Sequence, residues 1–487
     1  MDTLPFLPTG SLVLKVLLFA NTEWYLYNFR RSLAMALREA GHEVLLVSPP
    51  GPYGDKLREL GFRWIAAPME RRSLNPLREL SLLYWLLRLM KQERVDLVHG
   101  FTIKCAVYGS LAARCAGIAG RVNAVTGMGY VFTSGEIRAQ LLRPVVRGLL
   151  RMALDGRGAR LILQNPDDVT LFREAGLVDM SRVRLIRGSG VDCSRFVAAP
   201  NNALSLGGGQ SNGGEASDLT RPHPNPPPMG NAVEISRHTG MDCRYPEHRD
   251  VNLVCPPWLL GSGNPCRNDE HFLNSTALPP MGEGTLELNS TPLSLGGRQA
   301  NGSFRVLLAS RLLWDKGLAE YVSAARELKT QGRAINFLLA GLPDSGNPAA
   351  VPEEMIRAWV DEGILDWLGH VDDMPNLLSS VDVVVLPSYR EGLPKGLIEA
   401  AACGLPLITT DVTGCREVVT HEIDGLLVPV RDAKALAQAI ARLQDDPALA
   451  ERLGEAAREK ALAQFDERIV IEQTLAVYQE LISWEKI

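Results

Sequence analysis

The sequence predicts an α/β protein with two Rossmann-like domains and a long disordered insertion between them. Short apolar runs alternate with amphipathic stretches in two separate parts of the chain, a pattern typical of βαβ units and parallel sheets. A chain of 487 residues also exceeds the size at which one hydrophobic core keeps growing, so at least two domains are expected. The composition changes abruptly between the two parts, at 201–302.

The first part of the chain contains six predicted strands with amphipathic helices between them. The strands are expected near 15–20, 43–47, 97–99, 121–125, 161–163 and 183–186. The clearest helical patterns span 29–40, 77–92 and 104–116. This series predicts a first Rossmann-like domain over 1–200.

A second series of strands begins after the insertion. These strands are expected near 305–309, 336–340, 383–386, 406–409 and 425–428. They predict a second Rossmann-like domain over 303–466. The last residues, 467–487, are expected to form a helix that packs back on the first domain.

The segment 201–302 is rich in Gly, Pro, Asn and Ser and has no sustained period of 3.6 or 2. Such a composition predicts disorder, because too little apolar surface is available for burial. Residues 204–213 recur with few changes as 293–302, which indicates a translated repetitive insertion. The alternative is a small folded interaction module.

The charge and the cysteine content limit the kinds of partner and the cellular compartment that we expect for this protein. The 51 lysines and arginines do not exceed the 56 aspartates and glutamates, which argues against a nucleic-acid partner. Eight cysteines without a Cys-x-x-Cys pair favour free thiols in a reducing compartment. No apolar run is long enough to span a bilayer and no basic region precedes one, so we expect a cytoplasmic protein.

Two carboxylates lie eight residues apart on either side of a glycine-rich turn. The turn follows a predicted buried strand and opens a helix, so Glu391 and Glu399 are expected at the carboxyl edge of the second sheet, where α/β sheets bind ligands. Glu399 has the position to accept hydrogen bonds from vicinal hydroxyls of a sugar or ribose. The backbone amides of Gly392 to Gly396 are suited to phosphate oxygens.

The segment from Ser388 to Ala400 resembles the donor-site signature of the nucleotide-sugar glycosyltransferases of family 4. Upstream, Arg311 and Lys316 resemble the phosphate-binding segment of that family. The resemblance implies the GT-B fold, in which two Rossmann-like domains face each other across a cleft. It also implies a UDP-hexose or UDP-N-acetylhexosamine donor and retention of anomeric configuration. The implied donor-binding residues are Glu399, Gly392, Leu393, Lys395, Gly396 and Leu397.

The first domain is expected to bind the acceptor. Residues 21–30 follow the first strand, and together with 126–132 and 188–192 they resemble the subgroup that acts on polyprenyl-diphosphate-linked sugars in surface-polysaccharide or glycan assembly. The Gly-Gly pair that the family often has after this strand is missing. The acceptor-side candidates are Asn21, Trp24, Tyr25, Asn28, Thr126, Gly127 and Gly129.

The catalytic candidates are Arg311, Lys316, Glu391 and His99. No Asp-x-Asp occurs, so no metal or other cofactor is expected, and Arg311 and Lys316 are predicted to stabilise the departing diphosphate. Glu391 is expected to hold the donor sugar. His99 is expected to face the cleft, where it orients a hydroxyl or merely caps a strand end.

Three other functions stay open. A nucleotide-sugar 2-epimerase has the same two-domain layout, and a glycogen-phosphorylase-like enzyme requires a pyridoxal phosphate lysine. A nucleotide-sugar binding protein inactivated by the insertion is the third.

Residues 137–160 contain six arginines and one acidic residue, interleaved with leucines. They predict either a basic amphipathic helix on an anionic membrane or a helix whose leucines pack on the sheet.

Overall fold

A computed structural model describes residues 13–70, 75–125, 137–154, 156–197, 303–344 and 347–482. These residues form two parallel sheets covered by helices, and both sheets belong to one compact unit. The predicted fold class, two Rossmann-like domains, is confirmed. The insertion 201–302 lies outside the described residues, as do the acceptor-side candidates Thr126, Gly127 and Gly129.

The first sheet has seven parallel strands in the order β3-β2-β1-β4-β5-β6-β7. The strands are β1 (Lys15–Phe19), β2 (Glu43–Ser48), β3 (Arg63–Ala66), β4 (Leu97–Phe101), β5 (Gly120–Ala124), β6 (Ala159–Leu163) and β7 (Val183–Leu185). Its helices are α1 (Glu23–Phe29), α2 (Arg31–Glu39), α3 (Tyr53–Glu59), α4 (Pro76–Glu93), α5 (Ile103–Ala116), α6 (Ile137–Leu154) and α7 (Pro166–Glu174).

The second sheet has six parallel strands in the order β10-β9-β8-β11-β12-β13. The strands are β8 (Phe304–Ala309), β9 (Ile335–Ala340), β10 (Asp366–Gly369), β11 (Val383–Leu386), β12 (Leu407–Thr410) and β13 (Leu426–Val428). The helices that follow are α8 (Leu318–Thr330), α9 (Glu353–Asp361), α10 (Met374–Ser379), α11 (Lys395–Ala402), α12 (Cys415–Val418), α13 (Ala433–Asp445), α14 (Pro447–Gln464) and α15 (Glu467–Ile482). A 3₁₀ turn, Trp314–Lys316, precedes α8.

Local sequence explains where several helices begin. The Asn75 side chain accepts hydrogen bonds from the first turn of α4, and Pro76 occupies the first helical position, where its missing N–H costs nothing. Asn165 and Pro166 start α7 in the same way. Strand β11 is an unbroken run of buried apolar residues, as expected for a central strand covered on both faces.

The final helix crosses from the second domain to the first. On α15, Val477, Tyr478 and Leu481 are buried in the core of the first sheet. The Glu480 carboxylate accepts hydrogen bonds from two arginines of that sheet, Arg160 and Arg184. The last turn of the chain that the structure describes therefore ties the two domains together.

Helix α6 packs at least part of its apolar side inward. Leu150 and Leu154 are buried in the core beside Phe172, whereas Arg147 and Arg151 are exposed. For these residues the structure agrees with the packed-helix alternative rather than with a membrane-facing side. The side chains of 137–143, 145 and 146 lie outside the described residues. Among the described helices, none is long and apolar enough to cross a bilayer.

Candidate active site

The candidate active site lies where two neighbouring strands of the second sheet end. Strands β8 and β11 pair in parallel, so the loops that leave their carboxyl ends meet. The loop after β8 carries Arg311 and ends in the 3₁₀ turn with Lys316, and the loop after β11 carries Glu391. The topology thus places three of the predicted residues, from two sequence segments, at the same edge of the sheet.

Lys316 and Glu391 form an ion pair at this edge. The Lys316 ammonium donates a hydrogen bond to the Glu391 carboxylate at 2.5 Å, and each side chain is only 13% exposed. A pair this well shielded interacts more strongly than a surface pair, and removing one partner leaves the other poorly compensated. The pair places one cation and one carboxylate within reach of the same ligand.

The backbone around Lys316 is clamped to the loop after β11. The Asp315 carbonyl accepts hydrogen bonds from the Tyr389 amide at 2.8 Å and the Ser388 hydroxyl at 3.0 Å. Gly317 follows at a φ of +76°, and a Cβ there would lie 2.1 Å from the carbonyl oxygen of Pro387. Only glycine allows this approach, which sets the position of Lys316 relative to Glu391.

The loop that follows β12 makes a second set of close contacts, with the backbone of Glu391. The Glu391 amide donates to the Thr413 carbonyl at 3.2 Å. A Cβ on Gly414, which has a φ of +82°, would approach the Glu391 carbonyl oxygen to 2.5 Å. Two glycines at positive φ therefore fix this carboxylate between neighbouring loops.

Arg311 is held apart from that ion pair. Its guanidinium bonds to the Asp344 carboxylate at 2.8 Å, and its side chain is 54% exposed. Asp344 belongs to the loop after β9, which neighbours β8 on the other side. The guanidinium lies at the same edge of the sheet and is accessible to a ligand, but it does not contact Glu391.

Glu399 lies one turn along α11 from Lys395, and the two side chains are 3.4 Å apart. The Glu399 side chain is 15% exposed. Burial raises the pKa of the Glu399 carboxyl, and the nearby cations Lys395 and Arg195 oppose that shift. A carboxylate with few solvent partners is well suited to accept hydrogen bonds from ligand hydroxyls.

The other predicted donor residues surround the start of α11. Gly392 and Leu393 are partly buried in the preceding turn, and Gly396 lies close to the end of β8, since a Cβ there would be 3.5 Å from the Ala309 carbonyl. Leu397 is 1% exposed and its amide donates to the Pro394 carbonyl at 3.1 Å, so it supports the turn rather than offering a side chain to a ligand. No side chain caps the amides at the start of α11.

The acceptor-side residues lie on and before α1. Tyr25 stacks on Phe29 with ring centroids 5.1 Å apart, and Trp24 meets the same ring edge-on at 5.4 Å. Trp24 is 41% exposed. Asn21 lies in the short turn between β1 and α1, and the Asn28 side-chain amide donates to the Trp24 carbonyl.

Lys395 connects this acceptor-side helix to the donor-side helix α11. Its ammonium donates to the Asn28 carbonyl at 3.2 Å and lies 5.2 Å from the centroid of the Phe29 ring. The same group lies 3.4 Å from Glu399. The two predicted binding sides therefore meet directly, through one lysine.

Asn165 forms a further contact between the domains that sequence reasoning missed. Its side-chain amide donates to the Gly392 carbonyl at 3.1 Å, and Asn165 is 1% exposed. The same amide contacts Asp168, whose pKa is raised by burial. The Asn-Pro pair signals a helix start, but a capping signal gives no hint of a partner more than two hundred residues away.

Two family comparisons match the two halves of this architecture. The family described as Glycosyl transferase 4-like matches residues 15–165, and the family described as Glycosyl transferases group 1 matches residues 297–460. The chain is a glycosyltransferase. The second range contains the Lys316–Glu391 pair and Glu399, and the resemblance drawn from the sequence motifs is confirmed.

Relatives of this glycosyltransferase cover nearly its whole length. It is 26% identical over 458 residues to the N,N'-diacetylbacillosaminyl-diphospho-undecaprenol alpha-1,3-N-acetylgalactosaminyltransferase of Campylobacter jejuni, with 94% of this chain and 96% of the relative covered. It is 23% identical over 405 residues to the UDP-Gal:alpha-D-GlcNAc-diphosphoundecaprenol alpha-1,3-galactosyltransferase of Escherichia coli, covering 82% of this chain and 80% of the relative.

Solved structures show the same fold. Anabaena HepE in complex with UDP and glucose matches the glycosyltransferase with a TM-score of 0.64 at 17% identity, over 96% of this chain and 99% of that chain. Sucrose-phosphate synthase from Thermosynechococcus elongatus gives a TM-score of 0.63 at 19% identity, with the same coverage of both chains. The GT-B architecture implied by the motifs is confirmed.

His99 does not lie in the cleft, so the expectation that it faces a ligand is wrong. The residue is 1% exposed in the middle of the first sheet, and its Nδ1 bonds to the Tyr478 hydroxyl of α15 at 2.6 Å. Burial, together with the charge of Arg30, lowers the pKa of His99 well below its ordinary value. The sequence predicted that the last helix packs on the first domain, but not that β4 continues past His99 to Phe101 or that Tyr478 of this helix covers His99.

Among the residues that the structure describes, no three His, Cys, Asp or Glu side chains are grouped so as to hold a metal ion. Metal independence of the glycosyltransferase stays a prediction.

Replacing Glu399 with glutamine is expected to weaken binding of UDP about tenfold or more, because a hydrogen bond to a charged acceptor contributes roughly 1.5–3 kcal/mol. Calorimetric titration of the glycosyltransferase with UDP measures this change. Glu354→Gln, on the exposed side of α9, is the matched control and should bind UDP like the wild type.

The same substitution makes a pH-dependent prediction for stability. Folding raises the pKa of Glu399, so the ionised carboxylate is penalised in the folded state. As the pH rises from the ordinary glutamate value of 4.5 through the raised pKa, the wild type should lose stability relative to Glu399→Gln. Urea unfolding across that window measures the difference, and an advantage of the variant that shrank with rising pH would contradict the assignment.

Proposed function

We propose that this glycosyltransferase moves a hexose or N-acetylhexosamine from a UDP-sugar to a polyprenyl-diphosphate-linked saccharide, with retention of anomeric configuration. The observation that carries the proposal is that two cation–carboxylate pairs lie at the carboxyl edge of the second sheet and on α11: Lys316 with Glu391, and Lys395 with Glu399, where Lys395 also contacts the acceptor-side helix α1. Together the two pairs give one ligand places for its diphosphate and its hydroxyls beside the acceptor side.

The donor diphosphate is assigned to the cations and amides at the edge of the second sheet. Lys316 supplies a shielded positive charge, Arg311 supplies an accessible one, and the start of α11 has amides that no side chain caps. Helix amides and fixed cations stabilise the negative charge that develops on a departing diphosphate. These groups supply the electrostatic stabilisation without a metal.

The carboxylates of Glu391 and Glu399 are assigned to the hydroxyls of the donor sugar and of the ribose. Glu391 is neutralised by Lys316 and held by two glycine clamps, so its carboxylate can hold donor-sugar hydroxyls in one orientation. Glu399, farther along α11, accepts hydrogen bonds from the ribose. During transfer, the acceptor oxygen bonds to the anomeric carbon, the bond to the diphosphate oxygen breaks, and the hydroxyl proton passes to the departing diphosphate.

The acceptor class is supported by both long relatives, whose names specify sugars linked through a diphosphate to undecaprenol. The aromatic surface of α1 also fits a sugar acceptor, because apolar faces of sugar rings pack on exposed aromatic rings such as Trp24. An acceptor of this kind places the enzyme at the cytoplasmic face of a membrane.

Incubation of the purified chain with single UDP-sugars and a polyprenyl-diphosphate-linked saccharide tests the proposal. We expect one donor to give an extended lipid-linked product whose anomeric configuration, read by proton NMR, matches that of the donor. Inversion would overturn the stereochemical assignment. A free epimer formed without acceptor would support the 2-epimerase alternative, and UDP-sugar binding without transfer to any acceptor would support an inactive binding protein.

A further inference from the structure

Helix α4 exposes an apolar stripe that does not belong to the core of the described part of the fold. Leu77 is 78% exposed, Leu80 is 62% exposed and Tyr84 is 61% exposed. Their spacing of three and four residues places them on one side of the helix. Among the helix side chains that the structure describes, no other helix exposes three large apolar ones.

The opposite side of α4 already supplies the packing that folding needs. Leu82, Leu86, Leu89 and Met90 are buried in the core between α4 and the first sheet. A helix that covers a sheet requires only this one apolar side. A second, exposed apolar side on the same helix indicates an interaction surface.

Basic residues continue the exposed stripe toward the end of α4. Arg88 and Lys91 follow Tyr84 on the same side and are exposed, and the Arg88 guanidinium lies 5.8 Å from the centroid of the Tyr84 ring. From Leu77 to Lys91 the stripe is about 21 Å long at the rise of an α-helix. It therefore combines an apolar half with a positively charged half.

The acidic residues of α4 are directed away from this surface. Glu79 pairs with Lys104 at 2.8 Å, and Glu93 pairs with Arg63 at 2.6 Å. The Glu79 and Glu93 side chains are only 13% and 14% exposed. Within α4, the stripe thus presents leucines, a tyrosine and cations without an acid of the same helix, which complements the charge and the apolar interior of an anionic bilayer.

The apolar end of the stripe lies at the acceptor edge of the first domain. Lys104, at the start of α5, donates to the Glu70 carbonyl and to Glu79, so the first turn of α4 lies beside the carboxyl end of β4. Strand β1 pairs with β4 and leads at the same edge into the acceptor-side helix α1. A membrane touching Leu77 and Leu80 would lie near the place where the acceptor sugar binds.

We propose that this α4 stripe, defined by Leu77, Leu80, Tyr84, Arg88 and Lys91, binds the surface of an anionic membrane. The leucines and the tyrosine insert among the lipid headgroups, and the two cations contact lipid phosphates. Its biological meaning rests on the proposed function, because only a lipid-anchored acceptor requires the cleft to be held at a bilayer. The proposed contact surface is α4, whereas the described leucines Leu150 and Leu154 of α6 pack into the core.

Sedimentation of the full chain with vesicles tests the proposal. Vesicles of phosphatidylcholine with phosphatidylglycerol are compared with vesicles of phosphatidylcholine alone, and binding is expected mainly to the anionic ones. The triple variant Leu77→Ser/Leu80→Ser/Tyr84→Ser should bind at least about tenfold more weakly, because apolar insertion is lost. Arg88→Gln/Lys91→Gln should lose about tenfold on anionic vesicles and little on neutral ones.

A matched control replaces three exposed apolar residues elsewhere. Val360→Ser/Ile423→Ser/Leu462→Ser changes the second domain and should bind vesicles like the wild type. Absence of wild-type binding to either vesicle type, or an equal loss in the control, would overturn the proposal.

Transfer assays distinguish a failure of the proposed membrane surface from a failure of the proposed glycosyltransferase function. With a short-chain, water-soluble diphosphate-linked acceptor, the α4 triple variant should transfer sugar like the wild type, whereas with a long-chain acceptor in vesicles its rate should fall about tenfold. Equal rates of variant and wild type on the long-chain acceptor would count against the α4 surface. Vesicle binding without transfer to either acceptor would instead refute the proposed function and leave the membrane surface standing.

Discussion

Replacing Lys316 with alanine is expected to lower kcat by about 10²- to 10³-fold, the usual effect of removing one group that stabilises developing negative charge. The reason lies in its position: the ammonium is 13% exposed, contacts Glu391 at 2.5 Å and follows the strand end at which the diphosphate is assigned. A charge held this rigidly needs no reorganisation when the diphosphate departs. Turnover at saturating UDP-sugar and acceptor measures the loss.

Loss of the lysine also leaves the Glu391 carboxylate without its partner. A second variant and a control therefore have to separate the loss of the catalytic charge from a loss of stability. Lys316→Met keeps most of the packing of the lysine stem but still leaves Glu391 unpaired, so it should lose less stability than the alanine variant and turn over equally slowly. Lys434→Ala, at an exposed position in α13, is the control for removing any one positive charge. Wild-type turnover in Lys316→Met would remove the leaving-group role.

Replacing Gly317 with alanine should lower turnover about a hundredfold, because a small misplacement of catalytic groups has an effect of that size. The added Cβ would lie 2.1 Å from the carbonyl oxygen of Pro387, so the loops that carry Lys316 and Glu391 must separate. The left-handed backbone adds a stability loss of about 1–2 kcal/mol. Thermal unfolding and turnover of the same preparation measure the two effects.

Gly332→Ala is the matched control for this variant. Gly332 has a φ of +71°, close to the +76° of Gly317, but a Cβ there would have no neighbour within 4 Å. It should lose a similar amount of stability from the backbone alone and keep normal turnover. If both alanine variants lost turnover equally, close packing around Gly317 would not be the cause.

Sequence periodicity predicted all of the strands except two of the four edge strands. Strand β11 was expected at 383–386 and lies there, because a central parallel strand is a continuous apolar run. Strands β3 and β10 were missed, and both are four-residue strands at a sheet edge. Only one residue of β3 and none of β10 is buried, so their four residues carry no readable apolar pattern.

The start of the chain shows a similar limit. A single helix was predicted over 29–40, but the structure has α1 (Glu23–Phe29) and α2 (Arg31–Glu39), with Arg30 between them. The aromatic residues of α1 show no regular helical period in the sequence. In the structure they contact three different partners. Tyr25 packs on Phe29 and Phe101, and Lys395 of the second domain covers Phe29.

The sequence by itself determined the two-domain α/β class, the donor-side motifs and the strand ends at which they lie. Those features are local, since they depend on spacing within a strand, a turn and one helix. Only the tertiary structure decided which residues meet: it joined Lys316 to Glu391, buried His99 beneath Tyr478 and brought Asn165 to Gly392. Contacts between distant segments follow from how sheets and helices pack, and short-range patterns do not encode that packing.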